Sequence, residues 1–177
     1  MKRLGLLRHA KSDWDDMSLR DFDRGLNARG RKGAALMGEH IRQQGDAWNL
    51  VLASPAQRVK ATLQASGLTI PVTFDDDAYL ADSATLLQLL SACDPRAEAV
   101  LLVGHNPGLQ ELALELVPPE NENPLFDEVM QKYPTAAFAV LELEIDAWDA
   151  IGSGCGRLTH FARPRDLDPE LGPLRVG

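Results

Sequence analysis

"NLVLASPAQRVKATLQASG", residues Asn49–Gly67, reads as a strand that runs straight into a helix. "NLVLAS" (Asn49–Ser54) is a mostly apolar run of strand length. Ser54 is a candidate N-cap, and Pro55 suits the first helical position, where its missing N–H is no loss. Gly67 stops the helix, because glycine alone takes the left-handed turn without penalty. The pattern recurs on both sides. "RLGLL" (Arg3–Leu7), "IPVTF" (Ile70–Phe74) and "EAVLLVGH" (Glu98–His105) have the length and composition of strands. Between them lie two helix signatures, Asn27–Gly45, capped by Asn27, and Asp82–Cys93, capped by Asp82 or Ser83, and a third follows, Asn106–Val117, with Asn106 as cap and Pro107 in its first turn.

Strands separated by helices of about 10 to 15 residues pair in parallel through right-handed crossovers. The fold class is therefore α/β: three α/β/α layers around a mostly parallel central sheet. Further on, Pro118–Thr135 is rich in Pro and Asn and predicts a long excursion with one helical turn, able to cover a pocket. "AAFAVLELEI" (Ala136–Ile145) alternates as an outer strand does, and "GRLTHFA" (Gly156–Ala162) gives a last short strand. Residues 168–177 read as an irregular tail. At 177 residues the chain fits one domain spanning 1–177.

Composition excludes several function classes. No apolar run reaches the length of a membrane span, and the apolar stretch after the basic N-terminus is too short for a secretory signal. The two cysteines, Cys93 and Cys155, have no redox or metal-ligand spacing. A cytoplasmic protein is expected. Net charge of −8 argues against nucleic acid or an anionic membrane as partner, since both need a basic face. It leaves room for a small cationic pocket.

In such sheets ligands bind beyond the carboxyl ends of the strands. The first strand ends in Arg8 and His9, the second leads into Arg58, and the fourth ends at His105. Parallel topology brings these to one edge, with two helix N-termini beside them. Two arginines and two histidines repel one another unless an anion joins them, and a tetrahedral phosphate suits the arginine forks. A neutral imidazole adds a nucleophile that a plain phosphate site lacks.

Other phosphate chemistries fail on spacing. A cysteine phosphatase needs Arg six residues after Cys, but Ala99 and Phe161 stand there. An Asp-x-Asp-x-Thr site on Asp75 and Asp77 would meet Tyr79 in place of Thr. "GLNARGRK" (Gly25–Lys32) has P-loop glycine spacing without the Lys-Ser/Thr ending. Metal ligation by His9 and His105 has no short-spaced third ligand to support it.

"LLRHAKS" (Leu6–Ser12), "SPAQRVKAT" (Ser54–Thr62) and "VGHNP" (Val103–Pro107) together resemble the histidine phosphatase superfamily, the phosphoglycerate mutase-like group. "RHAKS" and "DFDRGLNARG" (Asp21–Gly30) are similar to the SixA-type phosphohistidine phosphatases, and the resemblance runs from Leu4 to about Leu167. It implies that His9 is the nucleophile and becomes transiently phosphorylated. Arg8 and Arg58 would hold phosphate oxygens, and His105, in protonated form, would bind and stabilise the transferring group. It also implies that Arg24 touches phosphate and that Ser12 lies near the pocket. No cofactor and no metal are implied. The other N–H of His9 is expected to donate to a backbone carbonyl.

Two departures matter. Ala10 replaces the glycine of the family's Arg-His-Gly triplet. The carboxylate acid that mutases and many phosphomonoesterases use has only weak counterparts, Asp77 and Asp82. A phosphoramidate needs such an acid less, so its absence favours a P–N substrate. The expectation is thus a metal-independent phosphatase acting on a phosphorylated substrate, such as a phosphohistidine-bearing signalling protein. The alternatives are a small-molecule phosphomonoesterase and a non-catalytic phosphate-binding module. The sequence is silent on oligomeric state.

Overall fold

A computed structural model describes residues 1–173. Six strands form one sheet: β1 (Lys2–Arg8), β2 (Leu50–Ala53), β3 (Val72–Phe74), β4 (Ala99–Gly104), β5 (Phe138–Leu143) and β6 (Gly156–Ala162), in the order β3-β2-β4-β1-β5-β6. The first four in sequence run parallel, β5 is antiparallel to β1, and β6 is antiparallel to β5. Parallel strands need crossovers over the sheet, and these are supplied by α1 (Ala28–Gln43), α2 (Gln57–Ser66) and α3 (Ser83–Ser91). Helix α4 (Gly108–Leu116) follows β4, α5 (Pro124–Gln131) precedes β5, and α6 (Pro164–Leu167) is a single turn after β6.

Side chains alternate across a strand, and this splits β1 between two cores. Leu4 and Leu6 pack with Leu90, Leu109, Leu112, Val129 and Trp148 on one face. Leu7 packs with Met37, Ile41, Val51 and Val59 on the other. Both faces are therefore covered, which is why β1 and β4 are nearly continuous apolar runs.

The glycines of α1 have a packing reason. A Cβ on Gly38 would stand 2.0 Å from the Ser66 carbonyl oxygen, and one on Gly30 would stand 2.1 Å from that of Lys11. These contacts seat α1 against the end of α2 and against the loop after β1. The Asn27 side chain accepts from the Gly30 N–H at 2.7 Å, as its N-cap role requires. Gly67 closes α2 at φ +69°, and Asp82 caps α3 through the Thr85 N–H.

Several expectations need correction. Helix α2 starts at Gln57 with Ala56 as N-cap, and the Ser54 hydroxyl accepts from the Ala56 N–H at 3.2 Å, just ahead of the helix. Helix α4 starts at Gly108 with Pro107 in the cap position, although the Asn106 side chain still accepts from the Gln110 N–H at 3.2 Å. Residues 118–135 hold a 3₁₀ turn and the two-turn α5, capped by Asn123 with Pro124 at its first position and anchored by Phe126 and Val129. Strand β5 is interior, not outer, since β6 covers its far edge. Of the expected irregular tail, Pro169–Leu171 form a 3₁₀ turn tied down by Lys32, which pairs with Asp168 at 2.9 Å. Residues 174–177 lie outside the described residues. No helix among the described residues is long and apolar enough to cross a membrane.

Candidate active site

The carboxyl ends of β1 and β4 and the first turn of α2 open into one cavity of about 510 Å³. Arg8, His9, Ser12, Arg58 and His105 line it together, as the topology requires. Arg8 and His9 are clamped from both sides: the Arg8 N–H donates to Ala137 and the His9 N–H to Gly104, each at 3.1 Å. The Ala10 N–H donates to the Thr62 hydroxyl at 2.9 Å, and that hydroxyl donates to the Arg58 carbonyl at 2.7 Å. This joins the loop after β1 to α2. Ala10 is fully buried, so its methyl group is accommodated in place of the family's glycine.

His9 Nδ1 lies 2.7 Å from the Ala10 carbonyl oxygen. A carbonyl can only accept, so Nδ1 carries the proton and Nε2 keeps its lone pair. Burial pushes the His9 pKa down to about 4, and the Arg8 and Arg58 charges push the same way against the Ala10 carbonyl. His9 is neutral at neutral pH. Its ring centroid lies 5.3 Å from that of His105.

His105 has both nitrogens engaged. Arg58 Nη2 is 3.3 Å from Nδ1 and can only donate, so Nε2 bears the proton and donates to the Ser54 hydroxyl at 2.7 Å. Burial and the Arg58 charge push its pKa down to about 3. The expected imidazolium is therefore a neutral ring in this structure. A bound phosphoryl group changes this balance, because its negative charge favours proton uptake at Nδ1.

Arg58, 5% exposed, donates to the Asp21 carbonyl at 2.8 Å and to the Asp21 carboxylate at 3.0 Å. The Tyr79 hydroxyl donates to the same carboxylate oxygen. These bonds hold the Asp21 carboxyl below the usual carboxylate range, with the Tyr79 bond the largest cause. Arg8 donates to the Tyr133 carbonyl at 3.0 Å, while its buried Nε has no acceptor.

Three expected residues stand elsewhere. Arg24 is buried, but its guanidinium faces the carbonyls of Asp13, Asp16 and Leu19 and stacks 3.9 Å from the Trp14 ring. It binds the 13–19 loop together and does not line the cavity. Asp77 is exposed on a 3₁₀ turn, and Asp82 spends its carboxylate on the cap of α3. Neither lines the cavity. Sequence reasoning missed Asp21, Ser54, Thr62 and Tyr79. Ser54 was visible only as a cap. Asp21 stood three residues before Arg24 in the same segment, so that segment carried the signal.

The model of the histidine phosphatase superfamily (branch 1) matches residues 4–82. The chain is 32% identical over 160 residues to an uncharacterized protein of Mycobacterium tuberculosis (strain CDC 1551 / Oshkosh), covering 90% of this chain and 100% of that relative. Among solved structures, a candidate phosphohistidine phosphatase SixA from Nakamurella multipartitia superposes with TM-score 0.83 at 29% identity, over 92% of this chain and 96% of that one. Its counterpart from Agrobacterium tumefaciens gives TM-score 0.77 at 31% identity, over 92% and 98%. With the family model matching residues 4–82 and the relative and solved structures spanning nearly the whole length of both partners, the chain belongs to the histidine phosphatase superfamily and is SixA-like.

Proposed function

We propose that this protein is a phosphatase that takes a phosphoryl group from a protein phosphohistidine onto His9 and passes it to water. What carries this is the His9 tautomer: with Nδ1–H donated to the Ala10 carbonyl, Nε2 is left as a neutral nucleophile in a cavity lined by Arg8, Arg58 and His105. In the first step Nε2 attacks phosphorus and the P–N bond of the substrate breaks. The bonding pair leaves with the substrate imidazole, which takes a proton from solvent at its other nitrogen and departs neutral. In the second step water attacks phosphorus on His9, the P–Nε2 pair returns to the ring, one water proton remains on the released phosphate and the other passes to solvent. Charge on the equatorial oxygens is met by the guanidinium groups of Arg8 and Arg58, and by His105 once it takes up a proton.

The carboxylates support an imidazole leaving group. Asp21 is the carboxylate on the cavity wall, and Tyr79 and Arg58 hold it ionised, so it is a poor proton donor. A P–N bond to imidazole does not call for a strong acid, whereas an alkoxide leaving group does.

The test compares the purified protein on a phosphohistidine-bearing protein and on p-nitrophenyl phosphate, with chelator present and His9→Ala alongside. Rapid P–N cleavage with slow ester hydrolysis, both lost in His9→Ala, is expected. Faster ester hydrolysis would point to a small-molecule phosphomonoesterase, with Asp21→Asn as the probe of its acid. Full activity in His9→Ala would remove His9 from the mechanism.

A further inference from the structure

The charge of this chain is unevenly placed. It carries 18 Lys and Arg against 26 Asp and Glu, yet among the described residues seven of the former line this cavity and Asp21 alone of the latter does. Arg8 and Arg58 belong to the phosphoryl centre. The remaining five, Lys11, Arg29, Lys132, Arg163 and Arg165, are more cationic charge than one phosphoryl group needs. Arg163 is neutralised by Asp166, on which both its Nε and Nη2 converge at 3.0 and 3.1 Å. Lys11, Arg29, Lys132 and Arg165 form no ion pair among the described residues. They come from four separate places: the loop after β1, the first turn of α1, the end of α5 and the turn α6.

The apolar side chains at the same mouth point to a large partner. Trp14 is 58% exposed and Leu80 55%, and both line the cavity. A large aromatic ring left in water beside a pocket is a common anchor for a protein partner. Trp14 is also held in place: it lies on the Arg24 guanidinium, whose three carbonyl contacts fix the loop beneath it. An anchor fixed before binding loses little freedom on docking.

We infer that the mouth of this cavity is a docking surface for an acidic protein segment, in which carboxylates flanking the phosphorylated histidine meet Lys11, Arg29, Lys132 and Arg165 and an apolar side chain packs on Trp14. This rests on the reading of the centre as acting on a protein. It adds what the target must look like: acidic on both sides of the phosphorylated residue. Charge complementarity of this kind sets on-rate and partner choice, and it weakens with salt.

The probe is a pair of 15-residue peptides carrying a non-hydrolysable phosphohistidine analogue, one flanked by Glu and the other by Gln at the same positions. Binding to the full chain is read by tryptophan fluorescence and checked by calorimetry. The Glu peptide should bind about tenfold tighter at low salt, with the gap closing at high salt. Lys11→Glu/Lys132→Glu should abolish or reverse the preference. Equal affinity of the two peptides, binding of neither, or a preference that survives charge reversal overturns the proposal. A Glu preference that persists with phosphoserine in place of the analogue, in a protein without P–N phosphatase activity, keeps the docking surface and ends the phosphohistidine reading.

Discussion

Arg58 holds Asp21 twice, by its backbone carbonyl at 2.8 Å and its carboxylate at 3.0 Å. Arg58, one of the two guanidinium groups proposed to hold phosphate, thus carries an internal anion. An incoming phosphoryl group must share Arg58 with a carboxylate of like charge. Asp21→Asn should therefore tighten inorganic phosphate or vanadate about three- to tenfold, since one neighbouring repulsion is removed. Calorimetric titration of both proteins decides it, and weaker binding by the variant would show that Asp21 mainly positions Arg58.

The two site histidines should make the protein acid-sensitive. Their pKa values lie below the usual 6.5, at about 4 for His9 and about 3 for His105, so the unfolded chain binds more protons as pH falls below 6.5. Stability is full above pH 6.5 and falls as pH drops toward 4, by about 3 kcal/mol from His9 alone. Denaturation midpoints at pH 7 and pH 4.5 measure the slope, and His9→Gln should flatten it. An equal slope in both proteins would contradict this account.

Ser54 is fully buried and accepts from both His105 Nε2 and the Ala56 N–H. Ser54→Ala leaves two buried donors unsatisfied, at a cost of about 1–3 kcal/mol. Turnover should fall about tenfold as His105 loses the partner that fixes its ring. A denaturant curve and kcat on one preparation test both, and unchanged kcat would separate Ser54 from the chemistry.

The glycines of α1 make a paired prediction. Gly38→Ala would force a methyl group to 2.0 Å from the Ser66 oxygen and should cost several kcal/mol. At Gly33 the nearest atom to a new Cβ is 3.9 Å away, so Gly33→Ala should stabilise the helix by about 0.5–1 kcal/mol. Thermal midpoints moving in opposite directions are expected, and two falls of equal size would rule out the packing explanation.

Much of this architecture was legible because it depends on local rules. Asn27 and Gly67 cap where their side chains and backbone freedom predict. The convergence of Arg8, Arg58 and His105 follows from parallel pairing alone. What escaped depends on partners remote in sequence. Tyr79 and Asp21 meet across 58 positions, a contact no pattern marks. Ser54 displayed a cap signal, and its hydroxyl serves the Ala56 N–H and also His105, a partner 51 positions away. Arg24 reads as a phosphate ligand because its neighbourhood resembles a family segment, yet three nearby carbonyls hold it in place. Helix α5 was obscured by the Pro and Asn around it, although Asn123-Pro124 is itself a helix-start signal.

The clamped backbone of Arg8 and His9 has a bearing on exchange with solvent. Strand β1 lies inside the sheet, with β4 on one side and β5 on the other, and the His9 amide is bonded to Gly104. Such an amide exchanges by the same opening that unfolds the molecule, while loop amides exchange through local fluctuations. His9 thus shares the durability of the whole domain, while the loop carrying Trp14 is held only by the local contacts of Arg24. If the proposed docking holds, substitutions in that loop would change the target while the strand beneath His9 stays as it is.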